Sequence, residues 1–148
     1  MDFPALKITF LGTGTSTGIP MIACPCRVCR SDNEKDKRLR SSIRIESAET
    51  TLVVDTTPDF RQQMLRLQNK KLDAILFTHP HKDHTGGLDD VRAYNFFQHR
   101  PMDLYANALT AEALRRDYAY AFSDHRYPGI PELNLVTIDE SPIIIGNI

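Results

Sequence analysis

A chain of 148 residues is long enough for one domain with a real hydrophobic core. Its 41% hydrophobic and 25% charged residues match a soluble globular protein, and a net charge of −1 supplies no overall field for nucleic acid or an anionic membrane. No apolar stretch reaches the roughly 18 residues of a membrane-crossing helix, and the N-terminus lacks the charged head and small-residue cleavage site of a signal peptide. The expectation is a cytoplasmic protein with no membrane partner.

The alternating, β-rich run Leu6-Lys7-Ile8-Thr9-Phe10-Leu11 predicts a first strand. It enters a small-residue loop, Gly12 to Gly18. No Gly-Lys-Ser/Thr follows and Ile19-Pro20 interrupts any helix, so this is a poor nucleotide loop. Its glycines suit close approach of the backbone to a ligand or a neighbouring strand. The cysteines Cys24, Cys26 and Cys29 come next. Their odd number and tight spacing argue against a disulfide framework and suit three thiolates converging on one ion; three reduced cysteines in a loop are the plain alternative. Between Arg27 and Arg44 basic residues outnumber acidic ones, as a solvated loop or as a phosphate contact.

Ser41 to Glu46 and Thr51 to Asp55 read as a hairpin turning near Ala48-Glu49. Thr57 as N-cap and Pro58 at the first helical position open a helix with Phe60, Met64, Leu65 and Leu67 inward and Arg61, Gln62 and Arg66 outward. The nearly all-apolar run Ala74 to Thr78 predicts a central strand covered on both faces. Helices are expected at 89–97 and 108–121, the second with Leu109, Ala113, Leu114 and Tyr118 on one side. Strands are expected at 102–105, 135–138 and 142–145. This order gives one α/β domain with helices over a mixed sheet.

The densest chemistry lies at the exit of the central strand, in His79-Pro80-His81-Lys82-Asp83-His84, followed by Gly86-Gly87. Imidazole with carboxylate suits zinc and similar first-row cations. His79 and His81 lie two apart on an extended segment and can face one ion; Asp83 and His84 reach a second point as the chain turns. Two ions about 3.5–4 Å apart polarise a scissile bond and supply hydroxide at neutral pH. A hydrogen-bonded polar loop is the bland alternative.

This stretch, with Phe10-Leu11-Gly12-Thr13-Gly14, Leu52-Val53-Val54-Asp55 and Phe60-Arg61-Gln62-Gln63-Met64, resembles the metallo-β-lactamase superfamily over nearly the whole chain. The resemblance implies an αββα sandwich of which this chain supplies the N-terminal half, because the family's remaining ligands fall after the strand where the sequence stops. It implies two divalent ions, zinc or manganese, with His79 and His81 on one and Asp83 and His84 on the other. Asp83 is then also the catalytic carboxylate, and Asp55 orients a ligand histidine. Cys-x-Cys-x-x-Cys after Gly-Thr-Gly looks like the PhnP-type phosphodiesterase branch, which implies that Cys24, Cys26 and Cys29 are three of the four ligands of a structural zinc. Ribonuclease Z is also similar, although the charge and the cysteine loop argue against a nucleic-acid partner.

The implied function is a metal-dependent hydrolase using a metal-bound hydroxide, a phosphodiesterase on a small or cyclic phosphate substrate. A lactone or thioester hydrolase and a catalytically incomplete metal-binding fragment are the alternatives. Arg44 and Lys82 are candidate phosphate contacts, whereas His99 and His125 match no ligand position. Apolar strands left uncovered predict association between copies.

Overall fold

The computed structural model describes residues 5–124 and 127–148. Six strands lie side by side in sequence order: β1 (Lys7–Gly12), β2 (Ser42–Glu46), β3 (Thr51–Val54), β4 (Ala74–Leu76), β5 (Met102–Ala106) and β6 (Leu133–Thr137). The short 47–50 turn permits an antiparallel β2–β3 hairpin, and β1 is antiparallel to β2. From β3 onward all pairs are parallel, because each connection carries helix back across the sheet. These crossovers hold α1 (Phe60–Arg66), α2 (Lys82–Thr85), α3 (Arg92–Gln98), α4 (Ala108–Asp117) and α5 (Ala119–Phe122).

The period of two along each strand gives the sheet two faces. Val53, Ile75, Leu104 and Leu135 stand in cross-strand register on one face. They meet Phe60, Met64, Leu88, Val91, Tyr94, Leu114 and Tyr118 from the helical layer in one continuous core. On the other face a row of Phe10, Ile43, Val54, Leu76, Tyr105 and Val136 crosses all six strands. Next to it, Ile145 and Ile148 fold back onto Leu52, Ala74 and Tyr105. The 142–145 segment is thus no seventh strand. It lies as irregular chain with Ile145 buried, and Asn147 N donates to Thr50 Oγ1 at 3.2 Å.

Several boundaries shift for local reasons. Asp59, not Thr57, precedes α1, and its carboxylate is taken by Arg40, accepting from Arg40 N at 2.8 Å and Nη1 at 3.0 Å. Gln63 replaces Leu65 on the buried side of α1; its Nε2 donates to Arg40 O at 3.0 Å, while Leu65 faces outward. The 89–97 helix begins as a 3-10 turn, Leu88–Val91, and ends at His99 in the left-handed region. The long helix expected at 108–121 breaks at Tyr118, and Leu109 faces outward while Ala111 replaces it in the core.

Candidate metal centre

β4 delivers the ligand-rich stretch to the C-terminal end of the parallel strands, where open α/β sheets place their sites. His79 and Pro80 continue the chain without regular structure. His81 has extended backbone, φ −64° and ψ 148°, and starts the single-turn helix α2, which lifts Asp83 and His84 towards His79. The His79 ring lies 4.8 Å from His81 and 4.0 Å from His84, centroid to centroid. Gly87 makes the turn possible: a Cβ there would stand 2.2 Å from Thr57 O.

Asp55, at the end of β3, is the buried anchor of this arrangement. Its Oδ1 accepts Thr78 N–H at 2.9 Å, and its Oδ2 accepts the Thr78 hydroxyl at 2.8 Å and His84 Nδ1 at 2.7 Å. An ionised carboxylate only accepts, so His84 Nδ1 carries a proton and its Nε2 is left as the free nitrogen. The same logic runs one residue further. Thr78 has spent its single proton on Asp55, so its oxygen accepts from His79 Nδ1 at 3.0 Å and leaves His79 Nε2 free as well. One buried carboxylate therefore sets two rings in the form that ligates a metal.

His84 Nε2 faces Asp83 Oδ2 at 3.2 Å. With a neutral ring these are two lone-pair atoms in contact, which repel unless a cation lies beside both. A second proton on His84 or a metal ion meets that need. Two ligands about 2.0–2.1 Å from a tetrahedral ion stand roughly 3.3 Å apart, so the spacing fits a shared metal. Burial opposes ionisation of Asp83. The Ser16 side chain, the Asp83 backbone and the His84 and His79 imidazoles outweigh it and hold the carboxyl below its ordinary value.

The cysteine segment converges more tightly. The sulfurs of Cys24, Cys26 and Cys29 all lie within 4.8 Å of one another, and among the described residues no other set of three His, Cys, Asp or Glu ligand atoms does so. The 79–84 stretch instead offers its donors in pairs. Within the cysteine loop, Cys29 N–H donates to Cys26 Sγ and Met21 N–H to Cys29 Sγ, both at 3.4 Å. The Cys29 N–H, followed by the Cys24 and Cys29 side chains, pulls the Cys26 thiol down to about 7. For Cys24 the Cys26 N–H pulls downward, but the Cys26 and Cys29 sulfurs and burial more than reverse it, leaving that thiol above its ordinary value. Three soft thiolates at this proximity fit three corners of a tetrahedral zinc site.

Two sequence-level candidates have other partners. Arg44 pairs with Glu46 and donates to Asn69 Oδ1 at 2.7 Å; Lys82 pairs with Asp117 at 3.0 Å. His99 is exposed at the end of α3, and His125 lies outside the described residues. Thr78 and Ser16 are contributors that sequence reasoning missed. Thr78 sits beside His79, yet its role depends on Asp55 across the β3–β4 pair, and Ser16 reaches Asp83 from a distant loop.

The sheet thus carries one helical layer, with metal-type donors at the ends of its parallel strands. Residues 50–146 match the family described as beta-lactamase superfamily domain, and the chain belongs to that family. It is 43% identical over 134 residues to an octanoyltransferase of Porphyromonas gingivalis, covering 90% of this chain and 27% of that protein. It is 27% identical over 123 residues to coenzyme PQQ synthesis protein B of Methylobacterium nodulans, covering 74% of this chain and 40% of that protein. Among solved structures it superposes on a diphosphatase from the PhnP family with a TM-score of 0.84 and 37% identity, covering 96% of this chain and 55% of that one. Zn(2+)-bound PqqB from Methylobacterium extorquens gives a TM-score of 0.70 at 21% identity, covering 92% of this chain and 47% of that one, a likeness of fold. The fold is that of the metallo-β-lactamases. The chain spans about half of the diphosphatase chain and about a quarter of the octanoyltransferase. Among the described residues no helix is long and apolar enough to cross a membrane.

Proposed function

We propose that this chain carries metal ligands of a metal-dependent hydrolase that cleaves a phosphoester or phosphoanhydride bond in a small phosphorylated substrate. The observation that carries this reading is the pairing of His84 Nε2 with Asp83 at 3.2 Å, with the far side of the His84 ring held by Asp55 at 2.7 Å. His79 and His81 hold one divalent ion, zinc or manganese, and Asp83 and His84 hold the second. Ions bound there supply Lewis acidity and a water that ionises near neutral pH.

The chain's own residues do the preparatory work. Asp55 and Thr78 fix the Nδ1 protons of two imidazoles, so that Nε2 is the atom each ring would offer an ion. The ionised Asp83 keeps negative charge facing the ions at neutral pH. Cys24, Cys26 and Cys29 hold a separate structural zinc that fixes the loop leading out of Gly12 to Gly18.

The 37% identity to a PhnP-family diphosphatase favours phosphorus chemistry. A second reading, hydrolysis of a thioester or lactone at the same site, draws on the octanoyltransferase relative, although that name belongs to a protein of which the match covers 27%. Assay of a cyclic phosphodiester and a diphosphate ester beside a lactone and an acyl thioester separates the two. In an enzyme that carries the complete ligand set, the proposal expects turnover of the phosphorus substrates and its loss in Asp83→Ala with the fold retained. Full activity in Asp83→Ala, or turnover of the acyl substrates alone, contradicts it.

A further inference from the structure

The helix that carries Asp83 and His84 is only four residues long, Lys82–Thr85. A single turn has no stability of its own, because nucleation is unfavourable and its terminal carbonyls have no partner within the helix. Its geometry must therefore be imposed from outside. The buried end is Thr85, whose carbonyl receives the hydroxyl of buried Tyr118 at 2.6 Å, with Thr56 Oγ1 more distant at 3.4 Å. The exposed end is Lys82. Its ammonium lies 3.0 Å from Asp117 Oδ2 and 4.7 Å from the centre of the Tyr118 ring. Asp117 closes α4, where a carboxylate is opposed by the helix dipole; Lys82 and Arg116, whose Nε stands 3.0 Å from Asp117 Oδ1, are the cations beside it. Tyr118 is also the residue at which the long helix expected at 108–121 breaks, and that break turns its hydroxyl onto α2.

We infer that Tyr118 is a positioning residue for the proposed metal centre: it caps the Thr85 carbonyl and grips Lys82, and so fixes the turn that aims Asp83 and His84. Lys82 is the second tether, held at the α4 end and not offered to substrate phosphate. This inference rests on the metal reading of the 79–84 stretch. Groups that orient metal ligands from outside typically cost 10–100-fold in affinity when removed, which sets the expected size.

The test is a zinc titration of the 148-residue chain followed through the ring ¹⁵N shifts of His79, His81 and His84, which separates this centre from zinc taken by the cysteines. Tyr118→Phe keeps the ring and removes only the hydroxyl. The expected result is a His84 response displaced to about 10-fold more zinc, with Lys82→Met displaced less and Lys82→Arg restored towards wild type. A parallel thermal melt isolates a merely structural role: a lower melting temperature with an unchanged zinc titration overturns the inference. If Tyr118→Phe does not fold, Lys82→Met against Lys82→Arg decides alone, and equal titrations overturn it. Wild-type rings that ignore zinc sink the metal reading itself, and this inference with it.

Discussion

At the residue scale, the chemistry turns on where single protons sit. Thr78 has one hydroxyl proton and gives it to Asp55, so His79 Nδ1 donates to the same oxygen. Thr78→Val keeps the shape and removes both bonds. We expect roughly 10-fold weaker zinc binding at this centre, measured by competition with a chromophoric chelator, and recovery in Thr78→Ser. The cysteine loop gives a pH prediction of definite sign. The Cys26 thiol is lowered to about 7 and the Cys24 thiol raised, so Cys26 gains thiolate well before Cys24 as pH rises through 7. Alkylation of the metal-free chain followed by peptide mapping should modify Cys26 before Cys24, with half-maximal rate near pH 7, and zinc should protect it. Much of this was legible in the sequence, since the ligand types and spacing of 79–84 and 24–29 are local. The tautomer relay was not. Asp55 has a left-handed backbone with φ 65° and reaches Thr78 and His84 only because β3 and β4 pair in parallel.

At the element scale, the hydrophobic pattern identified most strands and the helical crossovers. It failed where a polar contact outweighed hydropathy. Gln63 is buried because it satisfies Arg40 O, and Leu65 is displaced outward. The apolar run at 142–145 looks like a strand, yet only its Ile145 packs onto Leu52 and Ala74, with no ladder, and periodicity cannot separate a strand from irregular apolar chain. The strands that carry the site depend on the helix-side core. Leu104 is fully buried between Ile75 and Leu135 in the cross-strand register. Leu104→Ala should destabilise the fold by about 2–5 kcal/mol in denaturant unfolding. Leu109→Ser, on the exposed side of α4, should change it by less than about 0.5 kcal/mol.

At the scale of the whole molecule, one sheet face is sealed by helices and the other is only partly covered. Phe10 is 69% exposed and Ile8 57% exposed at the β1 edge, beside the apolar row across the sheet. A contiguous apolar face of this kind favours contact between copies. The 148-residue chain should therefore show concentration-dependent association in sedimentation velocity, reduced by Phe10→Lys. A monodisperse monomer across the accessible concentration range runs against that expectation.

The central claim is that the turn after β4 is a metal site in its own right, separate from the cysteines. Calorimetric zinc titration of Cys24→Ser/Cys26→Ser/Cys29→Ser isolates it. The account predicts that this triple variant still binds zinc and that adding His79→Ala, His81→Ala, Asp83→Ala and His84→Ala abolishes the remaining binding. A triple variant that takes no zinc, or one whose binding survives the loss of all four ligands, contradicts it.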